Sequence, residues 1–152
     1  MPVAVAAVAG LLFALPLSAS ATWFGTEGCT PGYWKNHADT NPRVAELYGI
    51  NLNAAILDIT GLNLGAPAGL TIDQAVALKG GGANALYRAL AAGVFNYYYG
   101  DPNVGANIVY IDPALFTSYV QKALDGDVTG AASAVDKANN LGCPIDSFGR
   151  RA

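Results

Sequence analysis

The amino-acid sequence predicts a mostly α-helical fold: a compact single domain of five or six helices, closed by one disulfide between its two ends. Apolar residues recur at helical spacing through most of the chain after residue 40, and glycines or capping residues divide that pattern into short segments. Only the run 107–111 has the β-branched composition of a strand. The two cysteines, Cys29 and Cys143, lie near opposite ends of the chain.

The first 21 residues have the pattern of a secretion signal. An apolar run over 4–15 is broken by Pro16 and followed by the small-x-small cleavage pattern Ala19-Ser20-Ala21. We expect residues 1–21 to be removed and 22–152 to form one extracellular domain. The run is shorter than the roughly 20 apolar residues that a membrane-spanning helix needs. We therefore expect no membrane span in the protein after cleavage. No basic residue precedes the run, which leaves open a start upstream of Met1, and a retained pilin-like anchor is the alternative to cleavage.

The chain carries few charges. Only 12% of its residues are Asp, Glu, Lys or Arg, against roughly 25% in an average soluble domain. A surface with so few charges resists self-association poorly. The formal net charge of −3 is spread along the chain without a basic stripe, so we expect neither a nucleic-acid partner nor binding to a membrane surface.

The cysteines predict a disulfide. In an exported protein an even count favours oxidation, and two cysteines allow only one intramolecular pairing. A closed loop of about 100 residues contributes roughly 4.7 kcal/mol in the loop-entropy model. A reactive thiol or a metal-binding pair is the alternative, but the only nearby nitrogen ligand is His37.

The first half of the domain predicts short helices. Segments 42–48 and 52–59 have helical periodicity, and Gly61 ends the second of them before a loop over 61–69. Thr71 and Gln74 have the spacing of a capping box, which opens a helix that Gly80 stops.

The segment 86–99 is the longest periodic stretch, and it is apolar on two faces. The first face consists of Leu86, Leu90, Gly93, Val94 and Tyr97. The second face consists of Ala92, Phe95 and Tyr99. A helix that is apolar nearly all round lies at the centre of a fold or against another subunit.

Two more helices are predicted after the turn at 100–102. The run 107–111 is either a strand or a buried connection. Asp112 and Pro113 have the pattern of an N-cap and first helical residue, and we expect Leu115, Tyr119 and Leu124 to face inward. A last helix over 129–140 precedes Cys143.

Three motifs carry a family resemblance. Residues 29–37 read CTPGYWKNH; Gly80-Gly81-Gly82 is followed by Ala85, Leu86 and Arg88; and residues 139–144 read NNLGCP. The chain resembles a family of secreted bacterial cell-surface proteins that open with the first motif, enter a central helix through such glycines and close on Asn-Asn-x-Gly-Cys. The resemblance implies a place at the cell envelope and no particular activity.

The opening motif allows three interpretations. The turn pair Pro31-Gly32 lets Tyr33 and Trp34 fold back over the disulfide as packing. Alternatively, Tyr33, Trp34 and His37 form an aromatic platform for a sugar or other ligand. His37 as a metal ligand has the least support, because a zinc site needs three or four ligands and the chain has no other His.

The glycine-rich entry to the central helix is interpreted as a tight turn. It lacks the Lys-Ser/Thr of a P-loop, so an anion cradle has little support. Arg88 is expected to pair with a carbonyl or an acid.

The segment 125–136 is a sharper metal candidate than His37, and the cofactor it would bind is calcium. Asp125, Asp127, Thr129 and Asp136 occupy positions 1, 3, 5 and 12 of an EF-hand-like spacing, with Gly130 at position 6. Position 12 is Asp instead of the usual Glu, and no second loop accompanies it. The alternative is that Asp127 or Thr129 caps the last helix.

No catalytic constellation is visible. The chain has one His and no Gly-x-Ser-x-Gly motif, and we therefore expect no enzyme. We expect instead an extracellular structural subunit that self-associates at the cell surface, into filaments or a layer, with copies of itself or with other surface components as partners. Its contacts would involve Phe95 and the tyrosines Tyr97, Tyr98 and Tyr99, which point about 100° apart on a helix and cannot all enter one core. A secreted ligand-binding or adhesion module using Tyr33 and Trp34 is the alternative.

Overall fold

The computed structural model describes residues 28–37, 45–100, 112–143 and 145. Within them lie six helices: α1 (Pro31–His37), α2 (Leu52–Thr60), α3 (Ile72–Val76), α4 (Ala83–Gly100), α5 (Pro113–Leu124) and α6 (Val128–Asn139). The same residues contain isolated bridges but no strand, which confirms a mostly helical fold. The predicted signal 1–21, the run 107–111 and the start of the predicted helix 42–48 lie outside the described residues, and 46–49 form a turn.

Helix α4 is the centre of the fold, as its two apolar faces predict. It contacts α1, α2, α3 and α6, and α5 packs in turn on α2 and α6. Every residue from Ala89 to Asn96 is buried. Because neighbours surround this helix, its two apolar faces both belong to the core.

Helix α2 begins and ends as the sequence predicts. Its N-cap Asn51 accepts a hydrogen bond from the Ala54 amide, and Gly61 ends it with φ 71°, a left-handed conformation that glycine adopts without a steric penalty. The following loop is held against the helix by Asn53, which exchanges two 2.8 Å hydrogen bonds with the backbone of Ala66. The predicted loop over 61–69 therefore has a fixed path.

Helix α3 is shorter than predicted. Gln74 Oε1 accepts from the Thr71 amide at 3.2 Å, whereas the buried Thr71 Oγ1 has no hydrogen-bond partner of normal geometry within the described residues. The helix ends at Val76 because the next amides bond three residues back, and it does not continue to Gly80.

Arg88 of α4 holds the segment that follows α3. Its guanidinium donates to the carbonyls of Leu78 and Gly80 at 2.8 and 3.1 Å. The glycine-rich segment is thus a turn fixed by α4, and the expected pairing of Arg88 with backbone carbonyls is confirmed.

Helix α5 starts where predicted but faces the core with another side. Asp112 Oδ1 accepts from the Leu115 amide at 2.9 Å, with Pro113 as the first helical residue. The buried residues are Phe116, Val120 and Ala123. Of the residues expected to face inward, Tyr119 is partly buried and packs against the core, and Leu115 is half-buried. The expectation was wrong for Leu124, which is exposed. Both stripes are apolar, and the one with Phe116, Val120 and Ala123 takes the core.

Candidate functional site

The two ends of the described chain meet at a disulfide. Cys29 and Cys143 are 114 positions apart, with their Cα atoms at 4.4 Å. Beside them the Gly28 amide donates to the Gly142 carbonyl at 2.9 Å. The predicted terminal-to-terminal disulfide is therefore present, and it closes the whole helical domain.

A buried asparagine lies behind the disulfide. The Oδ1 atom of Asn96, on α4, accepts from the Cys29 amide at 3.0 Å and from Trp34 Nε1 at 2.9 Å. Its Nδ2 atom donates to the Cys29 carbonyl at 2.9 Å and to Asn139 Oδ1 at 2.8 Å. One amide group thereby uses two acceptor and two donor positions, which is its full capacity.

Asn139 extends these contacts to the last helix. Its Nδ2 atom donates to the Ala89 carbonyl of α4 at 2.9 Å. Both asparagine side chains are completely buried, and they are the buried polar residues within the described part of the chain. We name this set, formed by Asn96, Asn139, the Cys29 backbone and Trp34 Nε1, the asparagine network.

Trp34 fills the space between α1 and α4. It is completely buried, its ring stacks on Phe95 with centroids 5.3 Å apart, and it meets Tyr99 at 5.8 Å. A binding platform that uses the face of Trp34 is therefore wrong, because that ring has no access to solvent. The opening motif is packing around the disulfide, with Asn96 as the partner of the indole nitrogen.

Tyr33 and His37 lie on the outer side of α1, and both are half-buried. Their rings stack with centroids 4.7 Å apart, and His37 Nδ1 lies 3.0 Å from the Tyr33 carbonyl oxygen. Within the described residues no three His, Cys, Asp or Glu side chains converge where they could hold a metal ion. Of the predicted aromatic platform, this stacked pair is the part that reaches the surface.

The four aromatic residues proposed for self-association separate into two pairs. Phe95 and Tyr99 are buried in the core, so their assignment to a contact surface was wrong. Tyr97 and Tyr98 are half-buried, and their rings meet edge to face at 5.3 Å. The Tyr98 hydroxyl donates to Asp58 Oδ2 of α2 at 2.7 Å. The expectation that successive tyrosines cannot all enter the core is confirmed.

The predicted calcium loop is a helix cap. Asp127 Oδ1 accepts from the Gly130 amide at 2.8 Å, and Asp127 Oδ2 pairs with Lys122 at 3.2 Å. Asp125 accepts from Gln121, and Asp136 is exposed along α6. Asp125, Asp127, Thr129 and Asp136 are thus not gathered around one point, and a calcium site built from them was wrong; the capping interpretation of Asp127 is confirmed.

Two groups in the described part titrate away from their ordinary values. The hydrogen bond from the Gly130 amide lowers the pKa of Asp127, and Lys122 lowers it further. Burial raises the pKa of Tyr119 by disfavouring the charged phenolate. Neither shift brings a group towards neutral pH, where a general acid or base would operate.

Asn96 and Asn139 are the residues that sequence reasoning missed. Asn96 interrupts the apolar run of α4 between Phe95 and Tyr97, and a polar residue inside a helix that is apolar all round signals a buried hydrogen bond. Asn139 opens the NNLGCP motif, but its partners lie 43 and 50 positions away. The signal for Asn96 was visible, whereas its partners were not.

No protein-family model matches this chain, and neither a curated protein nor a solved structure is found to match it. In the part of the chain that the structure describes, no helix has both the length and the apolar character needed to cross a membrane.

Proposed function

We propose that this domain is an extracellular structural subunit that associates with copies of itself at the cell surface, into filaments or a layer. The observation that carries the proposal is the placement of the aromatic side chains at the end of the central helix α4. Phe95 and Tyr99 fill the core there, yet the helix keeps Tyr97 and Tyr98 partly at the surface.

The half-buried pair Tyr97 and Tyr98 has the chemistry of a contact surface. Tyrosine is enriched in interfaces because it supplies a large apolar ring with a polar tip. The edge-to-face packing of Tyr97 on Tyr98 and the bond from Tyr98 to Asp58 fix the ring of Tyr98 before any partner arrives. A contact with pre-ordered side chains loses less conformational entropy on association.

The rest of the surface supports the same proposal. Among the residues that the structure describes, five large apolar side chains are more than a third exposed: Tyr48, Ile50, Leu57, Leu124 and Leu141. The low charge density leaves little repulsion between copies. A disulfide that joins the chain ends is typical of proteins in oxidising compartments, which supports a place outside the cytosol.

The ligand-binding or adhesion alternative has less support. With Trp34 inside the core, such a module would rely on the half-buried Tyr33 and His37 stack. Self-association is therefore the function that the geometry favours.

Sedimentation velocity of the disulfide-intact protein at micromolar concentrations tests the proposal. We expect the average mass to rise with concentration, and the double variant Tyr97→Ser/Tyr98→Ser to need at least about tenfold more protein for the same mass. Tyr87→Ser is the matched control, because Tyr87 is a half-buried tyrosine on the same helix, about three turns away; it should behave as the parent protein.

Two results would refute the proposal. The first is a monomer at every concentration, with no filaments or sheets in negative-stain images. The second is association that the double variant and the Tyr87 control weaken equally, which would place the contact away from Tyr97 and Tyr98.

A further inference from the structure

The two sulfurs of the disulfide lie in different environments. Cys29 is completely buried in the core, in the layer that contains Trp34 and Asn96. Cys143 is exposed, and so are the two residues before it, Leu141 and Gly142. An external reagent therefore has a path to one end of the disulfide and none to the other.

The two cysteines are also anchored differently. Asn96 holds both the amide and the carbonyl of Cys29, at 3.0 and 2.9 Å, so this backbone is fixed from the side chain of the central helix. These bonds do not involve sulfur, so opening the disulfide does not itself break them. The contact between Gly28 and Gly142 is a single backbone hydrogen bond at 2.9 Å.

We propose that Cys143 is the modification site at which a low-molecular-weight thiol enters this protein. The thiolate attacks Sγ of Cys143, a new sulfur–sulfur bond forms there, and the bond to Cys29 breaks. The bonding electrons leave on Sγ of Cys29, which takes a proton from solvent. The chain then carries a mixed disulfide at Cys143 and a buried thiol at Cys29.

The asparagine network determines what the exchange does to the fold. Cys29 keeps its two backbone bonds to Asn96, and Trp34 keeps its bond to the same side chain. Exchange at Cys143 therefore removes the covalent link between the chain ends and leaves α1 packed on α4. Cys143 is thus the cysteine that accepts the external thiol, and Cys29 is the cysteine whose backbone Asn96 anchors.

Mass spectrometry of the parent protein tests this. Trypsin separates the two cysteines, because Lys35 is the first basic residue and Lys137 and Arg150 flank Cys143. Folded protein is treated briefly with millimolar reduced glutathione, and the exchange is stopped by denaturing the protein near pH 7 in excess N-ethylmaleimide, which alkylates all free thiols. We expect at least about tenfold more glutathione on the peptide 138–150 than on the peptide that contains Cys29. The same reaction in denaturant is the control, in which the two peptides should agree within about threefold.

A matched pair of variants gives a second readout. In Cys29→Ser the remaining Cys143 thiol should react rapidly with an aromatic disulfide reagent, and in Cys143→Ser the buried Cys29 thiol should react at least about tenfold more slowly. Circular dichroism shows whether each variant is folded; if one is not, the glutathione map of the parent protein decides. Equal labelling of the two peptides in folded protein, preference for Cys29, or no adduct on either peptide would overturn the proposal.

Discussion

Side-chain amides and carboxylates do similar work in two regions of this domain, but at very different depths. In the asparagine network, Asn96 joins residues 67, 62 and 43 positions away, and it is completely buried. In the turn 125–127, Asp125 and Asp127 bond to groups three to five residues away, all at the surface. The first region connects the ends of the chain to the central helix, and the second only completes the ends of two neighbouring helices.

This difference in burial determines how much each region contributes to the free energy of unfolding. A buried donor or acceptor that loses its partner costs about 1 to 3 kcal/mol, because water cannot replace the partner. At an exposed cap, water takes the place of the lost group, and salt screens what is left of the charge interaction. Substitutions in the asparagine network should therefore have much larger effects than substitutions in the turn.

Asn96→Ala should have the largest effect. It leaves four buried groups without their partner: the Cys29 amide and carbonyl, Trp34 Nε1 and Asn139 Oδ1. We expect the free energy of unfolding, measured in urea with the disulfide intact, to fall by about 4 kcal/mol. Asn140→Ala is the control, since Asn140 is exposed and bonds only within its own helix turn; it should cost less than about 1 kcal/mol. Equal losses would show that the network does not stabilise the fold.

Gly28→Ala should have the next largest effect. A Cβ atom at Gly28 would lie 2.5 Å from the Ala138 carbonyl oxygen, a backbone atom, so α6 would have to move. We expect a loss of about 1 to 3 kcal/mol in the same unfolding experiment. Gly32→Ala is the matched control in α1, where the nearest atom would lie 3.6 Å away, and it should be neutral or stabilising by up to about 1 kcal/mol. A stabilising Gly28→Ala would contradict this close approach of the chain ends.

Asp112→Ala tests a local cap that is half-buried. It removes the acceptor for the Leu115 amide at the start of α5, and we expect a loss of about 1 kcal/mol by thermal or urea unfolding. Asp136→Ala is the control, because Asp136 is an exposed residue inside α6 and should change stability by less than about 0.5 kcal/mol. A loss at Asp112 as large as that at Asn96 would remove the distinction between the buried network and a local cap.

The smallest expected effect is the pH dependence of Asp127. Its pKa is lowered in the folded state, so its contribution is fully present above the unfolded-state pKa of about 3.9 and is lost as pH falls through the lower folded value. The difference in Tm between the parent protein and Asp127→Asn should be constant from about pH 5 to 7 and should disappear in more acidic solution. High salt should reduce it, since Lys122 and Asp127 are both exposed. A difference that persists in strong acid would disprove this assignment.

The contrast between local and long-range contacts also shows how far the sequence predicts the structure. Gly61 as the end of α2, Asp112 as the cap of α5 and the two apolar faces of α4 follow from residues at most a few positions apart. The disulfide followed from counting cysteines. These features were predictable because each depends on local spacing or on a pairing with no competitor.

Other features depend on packing and were missed. The inward face of α5 was misassigned because two apolar stripes compete, and only the neighbouring helices decide between them. Trp34 was considered for an exposed platform, but Asn96, 62 positions later, supplies the acceptor that allows its indole nitrogen to be buried. The Asp125 to Asp136 spacing resembled a calcium loop, yet Asp127 caps α6 instead. In the first two cases the deciding contacts come from distant elements, whereas the cap of α6 is a local bond from the Gly130 amide, and such a cap was the predicted alternative to calcium.

A double-mutant cycle on Asn96 and Asn139 tests most directly whether the asparagine network is one unit that holds the chain ends on α4. The unfolding free energies of the parent protein, Asn96→Ala, Asn139→Ala and the double variant are measured in urea with the disulfide intact. Because their side chains bond at 2.8 Å inside the core, we predict that the double variant loses at least about 1 kcal/mol less than the sum of the single losses. Additive losses, equal within about 0.3 kcal/mol, would contradict a network and would reduce the two asparagines to independent contacts.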